Sequence, residues 1–153
     1  MTTVKIEVID GHREYMPAMA HPGDAAYDIR AMVRDGAGDP TAQVIRAGET
    51  ALVSAGFRME LPEGHEAQIR PRSGNARKGL QVANSPGTID SNYRGVVGVL
   101  LYNASGSDWT VMDGDRIAQM VVQRVPEVEM QLVERVSENT DRGERGFGSS
   151  GVR

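Results

Sequence analysis

The chain contains no cysteine. That excludes a disulfide, a thiolate nucleophile and any cysteine-based metal centre. Histidine is scarce as well. His12, His21 and His65 are far apart and show no ligand spacing, so a zinc site is not expected. Aromatic residues make up 5% of the chain, which leaves Val, Ile, Leu, Met and Ala to fill a core. No apolar run approaches the ~18 residues of a membrane span, and the N-terminus lacks the basic-then-apolar layout of a secretory signal. The expectation is a soluble cytoplasmic protein with no membrane partner. Basic residues (17) are outnumbered by acidic ones (21), for a net charge of −4. That balance argues against nucleic acid as a partner. It is compatible with a polyanionic small ligand, because local arginines set the field inside a cleft. A Gly-x-x-x-x-Gly-Lys-Ser/Thr phosphate loop is also absent.

What is present reads as strand. At 153 residues the chain suits one domain with a real core. Short apolar or alternating runs occupy residues 4–9, 51–53, 57–61, 66–70, 96–102 and 117–125, separated by Gly, Pro and Asp. Such spacing predicts an all-β sandwich or barrel. With 18 Gly and 7 Pro there is little room for long helices. One short helix is expected over 73–78, stopped by Gly79 in a left-handed conformation. Residues 35–39 read as a surface loop. From about Ser137 apolar periodicity vanishes. The chain therefore divides into a β domain, 1–136, and a C-terminal arm, 137–153, that is either disordered or ordered by a ligand or a neighbouring subunit.

Residues 84–95 carry the densest chemistry. Asp90 precedes the aromatic Tyr93 by three residues, between Pro86-Gly87 and Gly95. In an extended chain the two side chains would oppose each other. A bend at Ser91-Asn92, read as a hairpin, brings both onto one pocket. With Asn84 entering the same turn, the parts suit a nucleoside: a ring to stack, an amide to read a base edge and a carboxylate to activate water. Taken alone, the same residues read more simply as a polar hairpin with a satisfied Asp90. Arg72-Ser73-Gly74 offers a guanidinium and a helix start, with Ser73 as the N-cap, and reads as an anion grip or as a plain cap. Asp28 is a metal-water acceptor or an ordinary strand-end acid. Gln119 is a sheet-edge residue or a donor to phosphate or water. Asp115 and Arg116 read as a turn and an ion pair. Phe147 is the one aromatic in the Gly-rich tail and would usefully stack on a planar ligand.

Five motifs follow in order: Gly23 to Ile29, Arg72 to Gly74, Asn84 to Gly95, Gly114 to Gln119, and Arg142 to Gly151. Together they resemble the trimeric deoxyuridine triphosphatase (dUTPase) family over roughly residues 20–151. The resemblance implies a β-barrel or jelly-roll-like fold with one short helix, and a homotrimer whose active sites are shared between subunits. It implies hydrolysis of dUTP to dUMP and pyrophosphate by water attack on the α-phosphorus, limiting uracil in DNA and supplying dUMP for dTMP synthesis. Asp90 would be the catalytic base. Arg72, backbone Gly74 and Gln119 would bind phosphate, with the Ser73 hydroxyl near the bridge that breaks. Asn84, Thr88, Ile89 and Gly98 would meet the uracil edge in a narrow hairpin that rejects cytosine and thymine. Tyr93 would pack under the deoxyribose where a 2′-hydroxyl would clash. Asp28 would help hold Mg²⁺ through water. In the arm, which would close as a lid, Arg142 would bind the γ-phosphate and Phe147 would stack on uracil, with Gly148, Ser149 and Ser150 beside it as donors. Val96, Arg145 and Ala26 depart from residues common in the family. A deoxycytidine triphosphate deaminase would need a base, usually Glu, at the cytosine ring, and residues 88–95 supply none. A non-enzymatic binding protein on this scaffold would have no use for Asp90, Asp28 and the arm together.

Overall fold

Strands here are short because turn formers interrupt the apolar alternation every few residues. The computed structural model describes residues 2–146. Eleven strands lie among them: β1 Lys5–Val8, β2 Tyr27–Arg30, β3 Ala42–Ile45, β4 Thr50–Ser54, β5 Phe57–Glu60, β6 His65–Arg70, β7 Leu80–Val82, β8 Gly87–Ile89, β9 Gly98–Asn103, β10 Trp109–Met112 and β11 Arg116–Arg124. Every expected run became a strand. The others, β2, β3, β7, β8 and β10, have three or four residues, too few to show a period. From Val125 to Gly146 no strand or helix forms.

All pairings are antiparallel and give four small sheets: β1–β5, β3–β10, β2–β11–β6–β8 and β4–β9–β7. The fold is all-β and jelly-roll-like. No sheet closes on itself among the described residues, so it is layered sheets rather than a closed barrel. Inward side chains from all four sheets make one core, with Ile29, Ile45, Val53, Phe57, Val99, Leu101 and Val111 at 0–1% exposure. Each such side chain stabilises the fold by about 1.5–3 kcal/mol. The one buried polar side chain among the described residues is Asn103. Its amide donates to Ile45 O and Ser107 O, and its Oδ1 accepts from Ser105 N and Oγ, so no hydrogen-bonding capacity is stranded.

Two local expectations need correction. The helix α1, Ser73–Arg77, forms, and Gly79 ends it at φ +99°, where an added Cβ would lie 2.8 Å from Ser105 N. However, Arg72 occupies the N-cap position (φ −80°, ψ 137°) with no side-chain cap bond. Ser73 is the first helical residue and leaves its hydroxyl exposed. Second, the turn at Ser91-Asn92 forms, with Tyr93 N–H donating to Asp90 O at 3.1 Å, but no hairpin flanks it. β8 pairs with β6, whereas β9 pairs with β4 and β7. Both sides of β9 are already taken, and residues 90–97 are too long a connection for a tight hairpin.

A part-buried polar cluster anchors the N-terminal segment. Tyr15 lies in the single-turn 3₁₀ segment Arg13–Tyr15 and is 1% exposed. Its hydroxyl donates to Asp113 at 2.7 and 2.8 Å and accepts from Arg34, while Asp113 also accepts from Val33 N–H. Burial, and then the Asp113 carboxylate, push the Tyr15 phenol from 10.0 up to about 12. A raised phenol pKa means the folded state holds the proton more tightly. Its stabilisation is therefore complete below pH 10 and lost as pH rises to about 12. Tyr15→Phe should cost about 1–3 kcal/mol at pH 8. The gap to wild type should close between pH 10 and 12 in urea titrations. A gap that persists unchanged through that window would refute the role given to the hydroxyl.

Candidate active site

The β2–β11–β6 register gathers one set of polar groups. Asp28 sits opposite Gln119, and Gln119 opposite Arg70, in one row across three strands. The chain leaves β6 through Pro71, so Arg72 swings back over that row. Arg72 Nε donates to Asp28 Oδ1 at 2.8 Å, and Arg116 Nη1 donates to Asp28 Oδ2 at 3.2 Å. Gln119 Nε2 donates to Pro71 O at 2.8 Å, which holds the start of α1 and occupies part of the amide expected to face a ligand. Asn75 on α1 donates to Arg116 O and Ile117 O, tying the helix to β11. The result is a cleft of about 360 Å³ lined by Asp24, Ala26, Asp28, Arg72, Ser73, Gly74 and Gln119, among others. The first turn of α1 leaves the amides of Ser73 and Gly74 without intrahelical acceptors. Two guanidiniums against the Asp28 carboxylate, with the free amides of Ser73 and Gly74 beside them, put hydrogen-bond donors of the kind that suit an anion at this cleft.

A second cleft lies where β8 and β9 part. It measures about 210 Å³ and is lined by Thr88, Ile89, Asp90, Tyr93, Val97 and Gly98. A crevice of about 50 Å³ adjoins it, bounded by Asn84, Gly87, Thr88, Ile89, Gly98 and Val99, among others. β8 is an edge strand whose second side carries no partner, so its backbone is available to a planar ligand's edge. Tyr93 is 44% exposed and its hydroxyl donates to Val96 O at 3.0 Å. Asp90 is exposed and accepts no hydrogen bond to its side chain among the described residues. The other acids near the clefts are occupied. Asp28 holds two arginines, Asp24 accepts His21 N–H and Asp115 accepts Met112 N–H, the last two as turn residues.

The two clefts share no lining residue. Arg142 lies in a separate turn, donating to Arg145 O at 2.8 Å, and lines neither cleft. Phe147, Gly148, Ser149 and Ser150 fall outside the described residues. A larger groove, about 450 Å³, is bordered by Val4, Ile6, Met16, Met19, Met120 and Val122, among others, and contains none of the expected site residues. Sequence reasoning missed Asn75 and the partner of Arg116. Nothing local signals either, because Asp28 and Arg116 are 88 residues apart.

A family model described as dUTPase matches residues 13–151. The deoxyuridine 5'-triphosphate nucleotidohydrolase of Roseobacter denitrificans is 46% identical over 154 aligned positions, covering 99% of this chain and 97% of that protein. The protein of the same name from Clostridium acetobutylicum is 44% identical, covering 100% of this chain and 99% of its own. Among solved structures, the Staphylococcus bacteriophage 80alpha dUTPase with dUPNHPP superposes with a TM-score of 0.84 at 26% identity, covering 99% of this chain and 100% of that one. An all-β fold with a polar cleft at Asp28 and Arg72 and a second cleft at Asp90 and Tyr93 thus comes with a family match along nearly its whole length, and the chain belongs to the dUTPase family.

Proposed function

We propose that this protein is a dUTP diphosphatase that hydrolyses dUTP to dUMP and pyrophosphate, with Asp90 as the base. The observation that carries the reading is the state of Asp90. It is the acid beside the nucleoside-sized cleft, and no protein donor occupies its carboxylate among the described residues. A carboxylate left open to solvent can orient a water and take its proton as that water attacks the α-phosphorus in line. Tyr93 packs against the deoxyribose, and Asn84 with the backbone of Thr88, Ile89 and Gly98 meets the uracil edge. Because β8 and β9 do not pair, the base enters between the free edge of β8 and the Gly98 end of β9, beyond the stretch that β7 covers. Its hydrogen-bonding edge is then read by backbone groups, which disfavours cytosine by mismatch.

Arg72, Gly74 and Gln119 bind the phosphates, with Ser73 near the bridge that breaks. An incoming polyphosphate competes with Asp28 for Arg72 and draws on a charge the fold has already oriented. No group of three or more His, Asp or Glu able to hold a metal exists among the described residues. Mg²⁺ prefers phosphate oxygens, waters and few carboxylates, and each Asp28 oxygen keeps a lone pair beyond its arginine. The residues therefore fit a metal carried by the triphosphate, with Asp28 accepting from its waters; the ion would neutralise charge on the leaving pyrophosphate.

The anion cleft and the nucleoside cleft are separate on one chain, and that supports a homotrimer in which neighbouring subunits complete each site. Large apolar side chains left on the outer faces, Val44, Leu52, Tyr102 and Met112 at 37–66% exposure, are suited to subunit contacts. Residues 137–153 act as the arm that closes the site, with Arg142 on the γ-phosphate and Phe147, Gly148, Ser149 and Ser150 over the nucleotide.

Incubation with Mg²⁺ and each deoxynucleoside triphosphate in turn, followed for pyrophosphate and ammonia, tests the assignment. Pyrophosphate from dUTP alone is expected; ammonia from dCTP, or no product at all, would refute it. Asp90→Asn should keep nucleotide affinity in calorimetry while hydrolysis falls ~10²–10⁴-fold. Hydrolysis within a few-fold of wild type would remove Asp90 from the role. Truncation after Asn139 should leave thermal stability little changed and slow dUTP turnover sharply. Phe147→Ala should reproduce part of that loss, since stacking of a base on an aromatic ring is worth roughly 1–3 kcal/mol. Full activity in the truncated protein would end the lid assignment.

A further inference from the structure

Residues 90–97 join two strands that belong to different sheets. A connection of this kind receives no ladder hydrogen bonds until Val97, whose N–H reaches Phe57 O at 2.9 Å. Yet it carries both Asp90 and Tyr93. What holds it is internal. Tyr93 N–H closes the turn on Asp90 O at 3.1 Å. Arg94 Nη1 then donates to two carbonyls of the same turn, Ser91 O at 2.7 Å and Tyr93 O at 2.8 Å. Finally the Tyr93 side chain folds back along its own backbone, and its hydroxyl reaches Val96 O at 3.0 Å.

That last contact requires Gly95. A Cβ at Gly95 would lie 2.5 Å from Tyr93 Cζ and 2.9 Å from Cε2, with the phenolic oxygen closer still. These atoms are the tip of the half-exposed Tyr93 side chain, so a Cβ there would push the ring out of its place. Gly95 does not adopt a positive φ, so its reason for being glycine is space for the Tyr93 ring and not backbone conformation. The Arg94 guanidinium thus holds the backbone of the turn that carries Tyr93, and the missing Gly95 side chain leaves the space its ring occupies.

We propose that Arg94 and Gly95 are positioning residues for sugar selectivity: they fix the Tyr93 ring at the height that admits a 2′-hydrogen and rejects a 2′-hydroxyl. This rests on the reading of Tyr93 as the deoxyribose contact. Neither residue touches substrate; both act through Tyr93. Displacing the ring opens room for ribose, so the ratio of UTP to dUTP hydrolysis rises, whereas a general loss of structure would lower both rates together.

The experiment compares kcat/KM for dUTP and UTP in the full-length enzyme with Mg²⁺, alongside thermal unfolding. The variants are Tyr93→Ala, Gly95→Ala, Arg94→Ala, and each brace substitution combined with Tyr93→Ala. Gly95→Ala and Arg94→Ala should each raise the UTP:dUTP ratio by roughly 10–100-fold, the range over which a snug pocket discriminates one added hydroxyl. In the Tyr93→Ala background neither should change the ratio further, because the ring through which they act is gone. If Tyr93→Ala relaxes selectivity and both brace variants stay within about twofold of the wild-type ratio, the brace is overturned and the Tyr93 reading stands. If Tyr93→Ala itself stays within about twofold, both fail. Should Gly95→Ala not fold, Arg94→Ala, which adds no atoms, decides the matter by the same ratio.

Discussion

The antiparallel register of the β2–β11–β6–β8 sheet is the constraint on which the rest depends. It sets Asp28 against Gln119 and Gln119 against Arg70. It delivers the chain from β6 into Arg72, and from β8 into Asp90. A slip of one residue in β11 would turn Gln119 into the core and Met120, now 3% exposed, out to water. The burial of Ile117, Ala118 and Met120 therefore does more than stabilise the sheet. It locks the position of the polar residues that alternate with them. The bulge between Arg116 and Ala118 lets one strand aim Arg116 at Asp28 while Ile117 and Ala118 both stay buried.

The acids of this protein divide by the company they keep. Asp113 sits among Tyr15, Arg34 and Val33 N–H and has a structural role. Asp28 holds two guanidiniums that would otherwise repel each other, and so keeps a concentrated positive field in a chain whose net charge is −4. Among the described residues Asp90 has neither kind of partner. An acid whose electrostatic needs the protein already meets is a poor base. One left to solvent beside a cleft is available to a water.

The separation of β8 from β9 shows how irregularity can be put to use. A hairpin would have closed the crevice between Thr88 and Gly98 with its own hydrogen bonds. Splitting the strands between two sheets keeps that crevice open, at the expense of a connection with no ladder to hold it. The Arg94 and Tyr93 side-chain bonds, and the space left by Gly95, meet that need locally.

The sequence by itself determined the fold class, because alternating apolar runs between Gly and Pro leave few options besides short antiparallel strands. It determined the helix stop at Gly79, since a glycine just past the last turn takes the left-handed conformation without a Cβ penalty; its crowding against Ser105 came only with the tertiary structure. The chemistry-bearing residues were legible too, because acids, arginines and a lone aromatic recur in spaced motifs. Their assembly was not. The pairing of Asp28 with Arg72 and Arg116 spans separations of 44 and 88 residues, and only the sheet register brings them together. Strands β2, β3, β7, β8 and β10 were invisible because three or four residues show little periodicity, whereas β1 and β5, no longer themselves, lie inside the longer runs 4–9 and 57–61. The expected hairpin at 84–98 failed because turn residues specify a bend and not the partner of the strand that follows. Which sheet a strand joins is decided by the hydrogen-bonding edges and buried faces that the whole fold leaves available, and those exist only once the chain has packed.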